Sequence, residues 1–165
     1  AKSVDMWQHA WIASEEYYGC RFDISILLQP TSPFRIPEDV TRTGKALFEG
    51  NHLAAATVSR APGDYTPHKC LTVDQNGIIN FFLKDGAQYS LRQDIPPFYF
   101  RNGICYAVTR QALLEKGIII EEDCAAVIIE RPIVNIDEPI DLQFARFLWT
   151  QYQCYNKLTG DTVHN

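Results

Sequence analysis

Apolar positions at the start of the chain recur at helical spacing. Val4, Trp7, Ala10 and Trp11 fall on one face, which predicts a helix over 3–18. Glu15 and Glu16 are expected on its water side, with Gly19 as its stop. FDISILL, residues 22–28, is a short near-continuous apolar run. Such a run predicts a central strand buried on both faces of a parallel sheet. Pro30, Pro33 and Pro37 then exclude helix and strand from 29–37. A helix is predicted over 38–50, with Val40, Ala46, Leu47 and Phe48 inward, and a second strand over 52–59. Strand, loop, helix and strand make one βαβ unit, expected to be right-handed.

The middle of the chain changes character. Two apolar stretches, 70–73 and 78–83, flank Asp74-Gln75-Asn76-Gly77, whose Asn-Gly step signals a hairpin. A strand over 103–108 and a short helix over 109–116 follow, closed by Gly117. A last strand is predicted over 124–130 and a long helix from Asp137 to about Tyr155. Leu142, Ala145, Arg146, Leu148 and Trp149 show helical spacing along its inward face, and Asp137 is its expected cap. The alternation predicts an α/β domain with an antiparallel excursion.

Composition narrows the function. The net charge is −5, and the Lys and Arg residues are scattered with no basic stripe. Duplex nucleic acid is therefore not an expected partner. No apolar run approaches the roughly 18 residues that span a bilayer, so no membrane partner is expected either. The opening AKSVDMWQHAW lacks the apolar stretch of a secretory signal, so a cytoplasmic placement is expected. Five widely spaced cysteines with no C-x-x-C pair read as reduced thiols, not as a zinc knuckle.

The most informative string is LLQPTSPFR, residues 27–35. It follows a strand directly, at the carboxyl end of the expected sheet, where α/β proteins place ligands. Pro30 and Pro33 stiffen it. Gln29, Thr31 and Ser32 offer short donors and acceptors, and Arg35 a fork for a carboxylate or phosphate. These residues are the candidate substrate contacts. The competing reading is a rigid turn whose Ser and Thr satisfy local backbone.

LLQPTSPFR resembles the L-L-Q-P-T-S-P-x-R signature of the sialic-acid cytidylyltransferases, the CMP-N-acylneuraminate synthetases. Other segments resemble that family's motifs in the same order: His68-Lys69, RQDIPPFYFRNGICYA over 92–107, and VNIDEPIDL over 134–142. The resemblance implies a Rossmann-like, mostly parallel sheet of the nucleotide-sugar transferase type with an antiparallel dimerisation arm, about 71–107. It implies transfer of CMP from CTP to a nine-carbon 2-keto sugar acid (sialic, legionaminic or pseudaminic type), with release of pyrophosphate. It also implies that Gln29, Lys69, Arg92, Gln93, Asn102 and Tyr106 line the sugar-acid pocket. Asp137 is the implied metal ligand, for Mg²⁺. The family has two aspartates two residues apart, and here the first of them is Asn135. Metal binding is therefore expected to be weak.

The family opens with a strand and a glycine-rich basic loop that cradles the CTP phosphates. No such loop occurs in the 165 residues. The chain is therefore expected to be a single partial domain, 1–165, lacking its first strand or strands. CTP transfer by this chain alone is expected to be impaired, and no residue is assigned a catalytic role. The alternative is a non-catalytic sugar-acid-binding or dimeric assembly module derived from the family. A homodimer is expected through the antiparallel arm, with Trp7 and Trp11 of the first helix as a further contact. The sugar acid is the expected ligand, with CTP as a second that the missing loop weakens.

Overall fold

The computed structural model describes residues 3–89 and 95–159, the side chains of 154–159 apart. The chain divides into two compact units, residues 1–58 with 101–165 and residues 59–100.

In the first unit, α1 (Ser3–Tyr18) ends where predicted, at Gly19 with φ 63°. Trp7 and Trp11 are each 3% exposed, so they belong to this chain's own core and not to a partner contact. They pack with Ala54, Ala56, Tyr106, Val108, Ala112 and Leu113. Both indoles donate: Trp7 Nε1 to Ser25 Oγ at 2.8 Å and Trp11 Nε1 to Glu15 Oε1 at 3.0 Å. Glu15, expected to face water, instead pairs with Arg110 and accepts the Phe22 N–H. Arg110 and that N–H hold the Glu15 carboxyl down at about 2. A depressed carboxyl stabilises the fold fully above its ordinary value of 4.5 and loses that effect as pH falls through about 2. Glu15→Gln should therefore flatten the stability profile between those pH values, as read by urea melts across that range.

The strands are β1 (Ile24–Leu27), β2 (Ala54–Arg60), β5 (Tyr99–Thr109) and β6 (Cys124–Ile128) in one sheet, ordered β1-β5-β2-β6. β1 runs antiparallel to β5, from Ile24 opposite Thr109 to Leu27 opposite Tyr106. β2 runs parallel to β6, from Ala54 opposite Cys124 to Val58 opposite Ile128. Thr109 N–H donates to Leu53 O, and Cys105 N–H to Thr57 Oγ1. Numbers rise on one strand as they fall on the other, so β5 also opposes β2. Three strands thus run one way and β5 against them. Among the described strands β1 is an edge, not the doubly buried centre that its apolar run predicted. Its outer side and α1 flank an open apolar groove of about 390 Å³.

α2 (Pro37–Glu49) buries Asp39, Thr43 and Leu47, one per turn. Phe48, predicted inward, is 77% exposed because it lies off that stripe. A π-type turn over Gln111–Lys116 ends at Gly117 with φ 67°. α3 (Pro139–Thr159) packs through Ala145, Leu148 and Tyr152 against Val134, Phe34 and Ile136. Trp149, also predicted inward, is 53% exposed.

The second unit holds β3 (Leu71–Val73) and β4 (Ile79–Phe81), paired antiparallel as the hairpin signal predicted. Asp74 shapes its turn by accepting the N–H groups of Asn76 and Ile78, and Gly77 takes φ 79°. Leu71, Val73, Ile78, Ile79, Phe81 and Phe82 are all 47–67% exposed.

Candidate functional site

The QPTSPFR turn leaves β1 at its carboxyl end, as the strand-then-proline pattern predicted. Ser32 N–H donates to Gln29 O at 3.1 Å and closes the turn. Arg35 then fastens it to β5: Nε donates to Ile104 O at 2.8 Å and Nη2 to Gln29 O at 2.7 Å. The predicted anion fork is thus occupied by main-chain carbonyls.

Beneath the turn runs a buried polar net. Three residues before Tyr106, the partner of Leu27, β5 carries Gly103 at φ 73°. A Cβ there would fall on Gln29 Oε1 and Ser32 Oγ. Only a bare Cα lets both side chains lie against β5. Ser32 is fully buried, with its Oγ 3.1 Å from Asn102 O and 2.9 Å from Asn135 Oδ1. Thr57, also fully buried, places Oγ1 2.6 Å from Asn102 Oδ1 and 3.1 Å from Cys105 O. Asn102 Oδ1 also accepts the Ile104 N–H at 3.2 Å.

The segment before α3 is stitched to the same turn. Ile136 N–H donates to Thr31 O at 2.7 Å. Asn135 Nδ2 donates to Asp137 Oδ2 at 2.6 Å. The helix cap is not Asp137. Asp141 Oδ2 accepts the N–H groups of Asp137 and Glu138 at 3.0 and 2.8 Å, a third-position carboxylate reaching back over the first turn. The Asp137 side chain is therefore left exposed beside the turn.

No protein-family model matches the chain. Two curated proteins do. Post-translational flagellin modification protein B of Campylobacter coli is 23% identical over 149 residues, covering 90% of this chain and 62% of that protein. The CMP-N,N'-diacetyllegionaminic acid synthase of Legionella pneumophila is 29% identical over 128 residues, covering 73% of this chain and 51% of that one. These matches support a sialic-acid-type cytidylyltransferase family. The chain spans between half and two thirds of the length of these relatives.

Of the candidate site residues, the structure gathers Gln29, Thr31, Ser32, Arg35, Asn102 and Asp137 around one turn. Gln29 and Thr31 are half-buried. Asn102 is 3% exposed and Tyr106 7%. Burial pushes the Tyr106 phenol up, against the opposing pull of Arg101. Lys69 belongs to the second unit, where it pairs with Asp64 at 3.1 Å. Arg92 and Gln93 lie outside the described residues.

The described donors do not fit a two-carboxylate magnesium site. Asp137 brings one carboxylate, and an amide N–H stands where the second would supply a negative oxygen. Asp141 has one oxygen committed to the α3 cap. Among the described residues no three His, Cys, Asp or Glu side chains cluster to hold an ion. Cys105, fully buried beside the net, has its thiol pushed up by burial and is no nucleophile.

Sequence reasoning missed Thr57 and Gly103. The Asn102-Gly103 step was the available signal, a glycine inside an aromatic-rich strand marking close backbone approach.

Proposed function

We propose that this chain supplies the sugar-acid side of a cytidylyltransferase-type site in sugar-nucleotide biosynthesis. Its ligand is a nine-carbon 2-keto sugar acid of the sialic, legionaminic or pseudaminic type. The reaction served is CMP transfer from CTP with release of pyrophosphate. The carrying observation is the QPTSPFR turn, locked onto β5 by Arg35, Ser32 and Gly103, with Gln29 and Thr31 accessible and Asp137 exposed beside it. Neutral amide and hydroxyl groups beside one carboxylate suit a ligand rich in hydroxyl and acylamido groups. The 165 residues carry no glycine-rich basic loop, so CTP uptake by this chain alone is weak.

The second reading, a dimeric assembly module that has lost nucleotide chemistry, is favoured by the β3–β4 hairpin. Its apolar side chains are exposed on both strands, which suits a second copy as cover.

Calorimetric titration separates these readings. N-acetylneuraminate should give a binding isotherm, weakened about 3- to 10-fold in Gln29→Ala, the size of one hydrogen bond. CTP with Mg²⁺ should give little heat and no pyrophosphate. Light scattering of the same sample should read twice 18.8 kDa. Folded protein that ignores every sugar acid overturns the main reading. Steady pyrophosphate release overturns the claim of weak CTP uptake, and a monomeric mass overturns the dimer.

A further inference from the structure

We propose that Asn135 is a positioning residue for Asp137, and that it replaces a cation ligand with a hydrogen-bond donor. The functional meaning of this inference rests on the sugar-acid reading above.

The geometry leaves one orientation for the Asn135 amide. Asn135 Oδ1 lies 2.9 Å from Ser32 Oγ, and Nδ2 lies 2.6 Å from Asp137 Oδ2. Turned over, the amide would set its oxygen against a carboxylate oxygen at that separation, acceptor against acceptor. As it stands, the hydroxyl shares its proton between the amide oxygen and the Asn102 carbonyl, and the amide donates to the carboxylate. Ser32 is fully buried and cannot swing away. Ile136 N–H, 2.7 Å from Thr31 O, fixes the main chain between the two side chains. The Asp137 main-chain N–H is held separately by Asp141, so the α3 cap makes no demand on the Asp137 carboxylate.

A relay therefore runs from the QPTSPFR turn through Ser32 and Asn135 to Asp137. It fixes one carboxylate oxygen and leaves the other to meet a ligand. It also keeps the pair at one negative charge, with a proton between residues 135 and 137. A hard divalent cation needs an oxygen there. Asn135→Asp supplies that oxygen and should strengthen cation binding there.

The test is titration of the full chain with Mn²⁺ alone, read by the electron paramagnetic resonance signal of the free ion. It needs neither sugar acid nor nucleotide, so it fails separately from the function proposed above. Wild type should bind weakly. Asn135→Asp should bind at least about tenfold tighter, at the low end of what ligand-shell changes produce. Adding Asp137→Ala to that variant should erase the gain. Equal Mn²⁺ affinity in wild type and a folded Asn135→Asp overturns the proposal. Should Asn135→Asp fail to fold, the Asn135 side-chain amide of the wild type carries the test by NMR. One Nδ2 proton should exchange slowly, and Asp137→Ala and Ser32→Ala should each abolish that protection. Amide signals indifferent to both changes overturn the proposal equally.

Discussion

Arg131→Met is expected to lower the unfolding free energy by about 3 kcal/mol, the low end of the range for breaking a buried ion pair. Asp39, in the first turn of α2, is 1% exposed, while the Arg131 side chain keeps 24% of its surface. Arg131 grips both Asp39 oxygens, Nη1 to Oδ1 at 2.9 Å and Nη2 to Oδ2, and Nη2 also donates to Phe34 O at 2.8 Å. Without the guanidinium the carboxylate stays buried, with the Ile36 N–H still donating to it at 3.0 Å. The partial exposure of Arg131 lets water reach the gap, which places the loss at the lower end. Urea denaturation followed by circular dichroism measures it. Asp39→Asn in the same chain removes the stranded charge while keeping an acceptor for Ile36, so the double variant should recover most of the loss. A double variant no more stable than Arg131→Met would show that packing of the arginine stem, not its charge, supplied the stability. The pair matters for function because Phe34 lies in the QPTSPFR turn. Arg131 thus braces that turn from the loop after β6.

Much of this fold was legible in the sequence, and the unread parts share one physical cause. Helical spacing found α1, the Asn-Gly step found the β3–β4 turn, and proline crowding found the break after β1. Each is a local signal. Strand order is not local. FDISILL is apolar enough for a central strand, yet β5 pairs its inner side and leaves the other open to a groove. Glu15 sits on the polar side of its helix by spacing, but Arg110, 95 residues away, draws it inward. Asp137 had the position of a cap, and Asp141, four residues on, had the geometry. The site divides in the same way. Gln29, Ser32 and Asp137 were visible as motif residues. The partners that hold Ser32 come from 70 and 103 residues away, beyond any periodicity. Arg35 is the instructive case. A fork beside a proline turn suits an anion, but the turn's own carbonyls reach it first.

Gly103→Ala is expected to strike both stability and the site. At φ 73° an alanine pays left-handed strain of about 1 to 2 kcal/mol. Its Cβ also meets Gln29 Oε1 and Ser32 Oγ. Gln29 can move its flexible end, but Ser32 is fully buried and bonded on two sides, so the collision falls on the net itself. Overpacking of that kind costs about 1 to 3 kcal/mol more. Gly19→Ala supplies the comparison. Gly19 has φ 63° with nothing within 4 Å of where a Cβ would stand, so an alanine there meets the strain without the collision. The difference in urea midpoint between the two variants, both in the first unit, isolates the crowding at the turn. Gly103→Ala should also lose sugar-acid binding and the slow Asn135 amide proton together, because both depend on where Ser32 stands. Gly19→Ala should keep both. If the two variants prove equally stable and bind alike, Gly103 is a turn glycine and nothing more, and the close packing of Gln29 and Ser32 against β5 does not position the site.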